Sequence, residues 1–292
     1  MRFGATILAA SAGLVLAAPA VAEAPSPPRG NFGGGALVSP PLDILGRGNA
    51  IVALRAQRQR KLDIEATLRA RCAGGDIAAA TKIAADGSFS AEGTATQEPS
   101  PAMKITTTYK LSGRFTTANA ANGTVSATIE RSNEGRRTTC RTGNVAFQTR
   151  RPVTGVGTPG APKAARYFGT TTQRTAGGPN RAIVVRVSAD GRRITRALFA
   201  ESVRCSDGRV AIGVEAPRTN VRIGSRGRVR DRDRYTITQG ETVVHVDDRF
   251  TAELGSKGAR GTFSLSDRTT DRASGGTIQT CKSGTIRWRA SL

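Results

Sequence analysis

Residues 183–205 read IVVRVSADGRRITRALFAESVRC, and residues 51–72 read IVALRAQRQRKLDIEATLRARC. In isolation the second stretch has the Ala, Leu, Arg and Gln content of a helix. The first argues otherwise, because its β-branched runs flank Asp190-Gly191, a turn dipeptide that joins two strands. Both open on Ile-Val and end on Arg-Cys, with one extra residue in the later stretch. Two copies of one unit share a fold, so both are read as β-hairpins. Leu62, Ile64, Ala66 and Leu68 alternate as a strand requires.

The match extends along the chain. CRTGNVAFQTRR, from Cys140, parallels CKSGTIRWRASL, from Cys281. GRFTTANAANGTVSATI (113–129) parallels DRFTAELGSKGARGTFSLS (248–266), and NFGGG at Asn31 echoes YFGTT at Tyr167. The order is kept throughout, which predicts two β-domains, 31–152 and 164–292. The segment 153–163 between them has the Gly/Pro composition of a linker.

Apolar and polar residues alternate in the remaining segments, which puts one set toward a core and the other toward water. The inward sets are Tyr109, Leu111 and Phe115; Val125, Ala127 and Ile129; and Val145 and Phe147. In the second copy they are Val244, Val246, Phe250, Ala252 and Leu254; Phe263 and Leu265; and Ile286, Trp288 and Ala290. Short strands with Gly punctuation and no convincing helix predict an all-β fold: two tandem antiparallel β-barrel or β-sandwich domains. Asn122-Gly123-Thr124, a sequon, is read as a turn.

The N-terminus, MRFGATILAASAGLVLAAPAVAEA, has an arginine, an apolar run and Ala20-Val21-Ala22 before Glu23. That is the arrangement of a signal peptide, 1–22, leaving 270 residues of the 292. The competing reading, an uncleaved anchor, is weakened by the alanine-rich middle of the run. Residues 23–30 are expected to be a flexible segment. Export to an oxidising compartment makes the four cysteines disulfides, because none has C-x-x-C spacing. Four cysteines allow three pairings, and the repeat selects Cys72 with Cys140 and Cys205 with Cys281. The expected location is secreted or extracellular, in contact with the cell surface.

The net charge of +22 rests on 37 arginines and 7 lysines, and it favours anionic partners: wall polymer, lipid head groups or nucleic acid. GC-rich coding, which enriches arginine by itself, is the duller explanation. A specific nucleic-acid partner is not expected, since aromatics for base stacking are scarce at 4%. SRGRVRDRDRY (225–235) places arginine at 226, 228, 230, 232 and 234. In an extended chain, residues i and i+2 lie about 6.6 Å apart on one face, so Arg226, Arg228, Arg230, Arg232 and Arg234 form a candidate polyanion ladder. Asp231 and Asp233 dilute it, which favours an ordinary solvated hairpin. Residues 29–150 carry 17 basic and 9 acidic side chains, and 163–292 carry 25 and 12; the second copy is the better place for an anionic partner.

Catalytic chemistry has little to stand on. His245, the one histidine, is expected on an outer face beside Asp247 and Arg249, aligned with Lys110. No nucleophile elbow, phosphate loop or metal motif occurs. The acidic pairs Asp231/Asp233 and Asp247/Asp248 sit among arginines, where a cation site would not be built. No enzyme activity, cofactor or metal is expected.

YFGTTTQ, VSADGRRIT, the Phe-Thr strand and the terminal C-x-[ST]-G-x-[VI]-x-[FW] resemble secreted β-domain proteins of high-GC Gram-positive bacteria that have no assigned function. The resemblance covers nearly all of the chain after the leader and implies an exported β-fold without an activity. The function expected is a non-catalytic binding or structural module of the cell envelope that contacts anionic polymer. The alternative is a lipocalin-like carrier of an apolar small molecule, which would need an internal cavity of several hundred Å³.

Overall fold

The computed structural model describes residues 29–36, 49–100, 102–174, 177–218 and 220–292. The predicted leader lies outside them. Among the described residues the only helical turns are two 3-10 turns of three residues, and all other regular structure is β.

The first sheet holds β1 (Gly30–Ala36), β2 (Asn49–Ala56), β3 (Lys61–Arg69), β4 (Gly74–Lys82), β5 (Ser88–Ser100), β6 (Met103–Thr117), β7 (Ala120–Asn133), β8 (Arg136–Arg141) and β9 (Val145–Arg150). The second holds β10 (Arg166–Arg174), β11 (Asn180–Val187), β12 (Arg193–Cys205), β13 (Val210–Arg218), β14 (Val221–Arg222), β15 (Arg228–Gln239), β16 (Thr242–Leu254), β17 (Gly258–Asp271), β18 (Thr277–Lys282) and β19 (Ile286–Ser291). The strand orders, β4-β3-β2-β1-β9-β7-β6-β5 and β13-β12-β11-β10-β19-β17-β16-β15, are the same path written twice. Both are barrel-like, and each carries one disulfide: Cys72–Cys140 in the first and Cys205–Cys281 in the second.

The helix-like 51–72 stretch is a hairpin, with Arg55 opposite Asp63 and bonded to it. Alternation decides which side chains go inside: Leu62, Ile64, Ala66 and Leu68 are all buried while Asp63 and Glu65 face out. In the second barrel Tyr167, Phe199, Phe250, Phe263 and Trp288 fill the middle. Phe250 stacks on Trp288 at 5.7 Å and Phe199 on Phe263 at 4.8 Å, so aromatics take up the space a through-going cavity would need.

Register corrects several of the sequence equivalences. Phe32 is in the first core and Phe168 is not in the second; Tyr167 takes the place of Phe32, and Phe168 faces the other way. Phe147 lies opposite Gly123 as Trp288 lies opposite Gly261, and in both cases an added Cβ would strike the ring, at 2.5 and 2.7 Å. Counting across from these anchors, Leu111, not Phe115, stands where Phe250 stands. Likewise Thr106, not Lys110, stands where His245 does. The shared Arg-Phe-Thr string therefore falls at non-equivalent positions on equivalent strands. The sequon is not a turn either: Asn122-Gly123-Thr124 lies within β7, where Gly123 makes room for Phe147.

The barrels meet on their outer faces. Ile51 and Ala53 pack with Phe168, Ala182, Val184, Leu198 and Ala200 in a third core. Asn31 Oδ1 accepts from the Asn180 amide at 3.0 Å. Arg181 is buried, 3.8 Å from Glu65 across the junction, and donates to Ser202 Oγ at 3.0 Å. Burial pushes the Glu65 carboxyl up, and Arg181 pulls it partly back. The Gly/Pro segment is laid against the second barrel by backbone bonds from Gly160 to Leu254, from Ser256 to Thr158 and from Lys257 to Val156.

Candidate anion-binding face

From Arg228 on, the arginine ladder runs along β15, which ends the strand order of the second sheet and, among the described residues, is paired with β16. It does not act as one unit. Arg226 occupies a 3-10 turn with φ +57 before the strand begins. Arg232 donates to both oxygens of Asp247, at 2.9 Å for the Nε bond, and Arg234 Nε reaches the same carboxylate at 3.2 Å. The hydrogen bonds from Arg232, then those from Arg234, hold the Asp247 carboxyl down to about 2.

Arg228 and Arg230 have a different setting. Register places Arg228 opposite Glu253, Glu253 opposite Arg260, and Arg260 opposite Arg289. The next row runs Arg230, Thr251, Thr262, Arg287. Strands lie about 4.8 Å apart, so the two rows put five guanidinium groups and one carboxylate on a patch about 14 Å by 7 Å. The patch borders a groove of about 410 Å³. Arg260 is paired with Glu253 at 2.7 Å. Among the described residues Arg228, Arg230, Arg287 and Arg289 have no ion pair, and all four are exposed. Thr251 and Thr262, whose hydroxyls bond each other at 2.8 Å, add neutral donors between them.

Sequence reading found Arg228 and Arg230 but missed Arg260, Arg287 and Arg289. Arg287 and Arg289 were visible as the outward partners of Ile286, Trp288 and Ala290. What the chain did not reveal is that β19 and β15 flank β16 and β17 on the same face.

The first barrel is an internal control. In the same register its positions are Ser88 and Ser90 for Arg228 and Arg230, Asn122 for Arg260, Ala146 for Arg287 and Gln148 for Arg289. Ser112 and Thr124, 3.2 Å apart, repeat the threonine pair. Arg114 replaces Glu253. The scaffold is retained and the charge is not. GC-rich coding would act on both copies, so it does not explain arginine at five positions in one and at none of them in the other.

His245 is partly buried on β16, its Nε2 3.4 Å from Thr270 Oγ1. Among the described residues no three metal-ligating side chains gather, and no helix is long and apolar enough to cross a membrane.

No protein-family model matches the chain, and no curated protein matches it. A solved structure described as a putative AttH from Nitrosomonas europaea aligns over 90% of this chain and 92% of that one at 8% identity. Its TM-score is 0.20, which is too low to support any argument.

Proposed function

We propose that the chain is an exported, non-catalytic binding module whose second barrel holds an anionic polymer across the β15–β16–β17–β19 face. The observation that carries this reading is the difference between the copies: five arginines in one stand where the other has two serines, Asn, Ala and Gln. Four uncommitted guanidinium groups bordering a groove suit a chain of repeated anions, because each fork grips a phosphate or carboxylate while the backbone runs along the groove. A groove without exposed aromatics suits a polymer better than a lipid surface, into which such side chains would insert.

The test is retention of the full chain on immobilised polyphosphate across a salt series. Four neutralised charges give a log–log slope of about −3, at roughly 0.7 per contact. Changing Arg228, Arg230, Arg287 and Arg289 to serine together removes that slope. Retention unchanged in the fourfold variant sinks the reading. Tighter binding to phosphatidylglycerol vesicles than to polyphosphate replaces polymer with lipid as the partner.

A further inference from the structure

At the disulfide end of the second barrel is a cavity of about 610 Å³ that both halves help to line. Val203, Val244 and the Cys205–Cys281 bridge form its barrel side, and Gln97, Glu98 and Pro99 of β5, from the first barrel, form the opposing wall. That wall is held in place: Gln97 accepts from the Asp76 amide at 3.1 Å and donates to its carboxylate at 2.8 Å. The volume is in the range of small-molecule sites.

Two features together mark this cavity. It is acidic in a chain of net charge +22: among the described residues the charged side chains lining it are Asp267, Glu98 and Arg209, and Arg209 is bonded to Asp207, which lies outside it. It is also edged with exposed apolar side chains. Val210 lines it and is 54% exposed, and Ile278, at 58%, adjoins the lining residue Gln279. Ile237, at 40%, lies opposite the lining residue Val244. Exposed hydrophobes gathered around a concavity mark a binding surface.

The first barrel shows what this end looks like when it is closed. Asp267 is opposite Cys281 as Ile129 is opposite Cys140, and Ile129 is fully buried in the first core. Asp248 likewise stands where the first barrel has the buried Tyr109. A filled hydrophobic end has become an open one with a carboxylate in its wall. Burial pushes the Asp267 carboxyl up, against the pull of the Cys281 amide, and among the described residues it has no cationic side chain bonded to it. A carboxylate placed in apolar surroundings without a counter-ion favours a ligand that supplies one.

We infer that this cavity binds a small amphiphile, an apolar body bearing a protonated amine, with the apolar part against Val203, Val244 and Val210 and the ammonium on Asp267. The site is distinct from the arginine face and opposite to it in charge.

Calorimetric titration of the full chain with octylamine, octanol and octanoate below their aggregation limits tests it. Octylamine binds tightest and octanoate weakest. Asp267→Asn lowers octylamine affinity about tenfold, the loss of one charge-assisted contact, and leaves octanol within twofold. Val210→Trp, at an exposed position that does not threaten folding, weakens amine and alcohol together by obstructing the mouth. Polyphosphate retention is unchanged in both variants, so failure here is separable from failure of the arginine face. Octanoate binding as tightly as octylamine overturns the inference. So does an amine-over-alcohol preference that survives Asp267→Asn, or no measurable heat with any of the three probes.

Discussion

A Cβ placed on Gly33 would stand 1.8 Å from the carbonyl oxygen of Gly169, so the first strands of the two barrels touch backbone to backbone. The third core, with Phe168, Val184 and Leu198 from one side and Ile51 and Ala53 from the other, closes around this contact. Gly33→Ala must push the strands apart, because the clashing atom belongs to the main chain and cannot rotate away. The expected cost is about 3 kcal/mol, the upper end for overpacking. Gly155→Ala, where nothing lies within 4 Å of the new methyl, is expected to be neutral. Thermal unfolding of the two variants side by side checks this; equal melting temperatures would mean that the barrels do not pack as described.

The two disulfides close loops of similar length, with sequence separations of 68 and 76. Loop entropy alone gives each about 4 kcal/mol. Their surroundings differ, however. In the second barrel β18 pairs with both β12 and β17, and Cys205 lies opposite Cys281 in that ladder. The ring β12-β11-β10-β19-β17-β18 therefore stays closed by hydrogen bonds after the sulfur bridge is removed. In the first barrel β8 pairs with β7 alone among the described residues, and Cys72–Cys140 is what ties it to the end of β3. Replacing Cys72 and Cys140 with alanine is expected to cost more than replacing Cys205 and Cys281. Urea unfolding of the two double variants decides it, and the reverse order would refute the argument.

The fold was legible because the matched sequence patterns let one half correct the other: Asp190-Gly191 pointed to a hairpin at 51–72 despite its helix-forming residues, and the two sheets do share one strand order. Strand parity was legible too, since a period of two survives even when the wrong residues are matched, as Phe115 and Phe250 were. Register was not legible, because Arg-Phe-Thr recurs on equivalent strands at non-equivalent positions, and only cross-strand pairing reveals the shift. For the arginine face, the ladder residues Arg228 and Arg230 stood out. Arg260, Arg287 and Arg289 did not, because the topology that unites them with β15 brings together strands distant in the chain. The carboxylates at the barrel end were hidden for another reason. Asp248 falls on the inward parity between Val246 and Phe250, and alternation read for hydrophobes passes over it.

Asp247 draws Arg232 and Arg234 out of the ladder. Its carboxyl is held down to about 2, against an ordinary 3.8, chiefly by the bonds from Arg232. A lowered folded-state value means that the stabilisation is fully present above about pH 4 and is lost as pH falls through 2. The carboxylate is about one-third exposed, so solvent screening keeps the effect on stability small. Binding responds more strongly. Asp247→Asn releases two guanidinium groups beside Arg230, and the salt slope for polyphosphate is expected to steepen by up to about 1.4. The acid limb of the unfolding curve between pH 4 and 2 flattens in the same variant. An unchanged slope would show that Arg232 and Arg234 stay out of contact with the polymer even when free.

The charged face is also transferable if it works as its geometry suggests. The first barrel already presents the strand order and the hydroxyl pair of Ser112 and Thr124. It lacks the guanidinium groups. Ser88, Ser90, Ala146 and Gln148 are partly or fully exposed, so arginine at all four reproduces the pattern of Arg228, Arg230, Arg287 and Arg289 without touching the core. Arg114, where the second barrel has Glu253, is paired with Asp86 and so adds no free charge to the four. The fourfold variant, made in a chain whose own second-barrel arginines are serine, is expected to regain polyphosphate retention with a slope of about −3. The matching chromatogram at 0.5 M salt, where screening shortens the reach of each charge to a few Å, should show none. Retention that returns only in part would assign the remainder to positions outside the two rows, with Arg226 at the turn the first to replace.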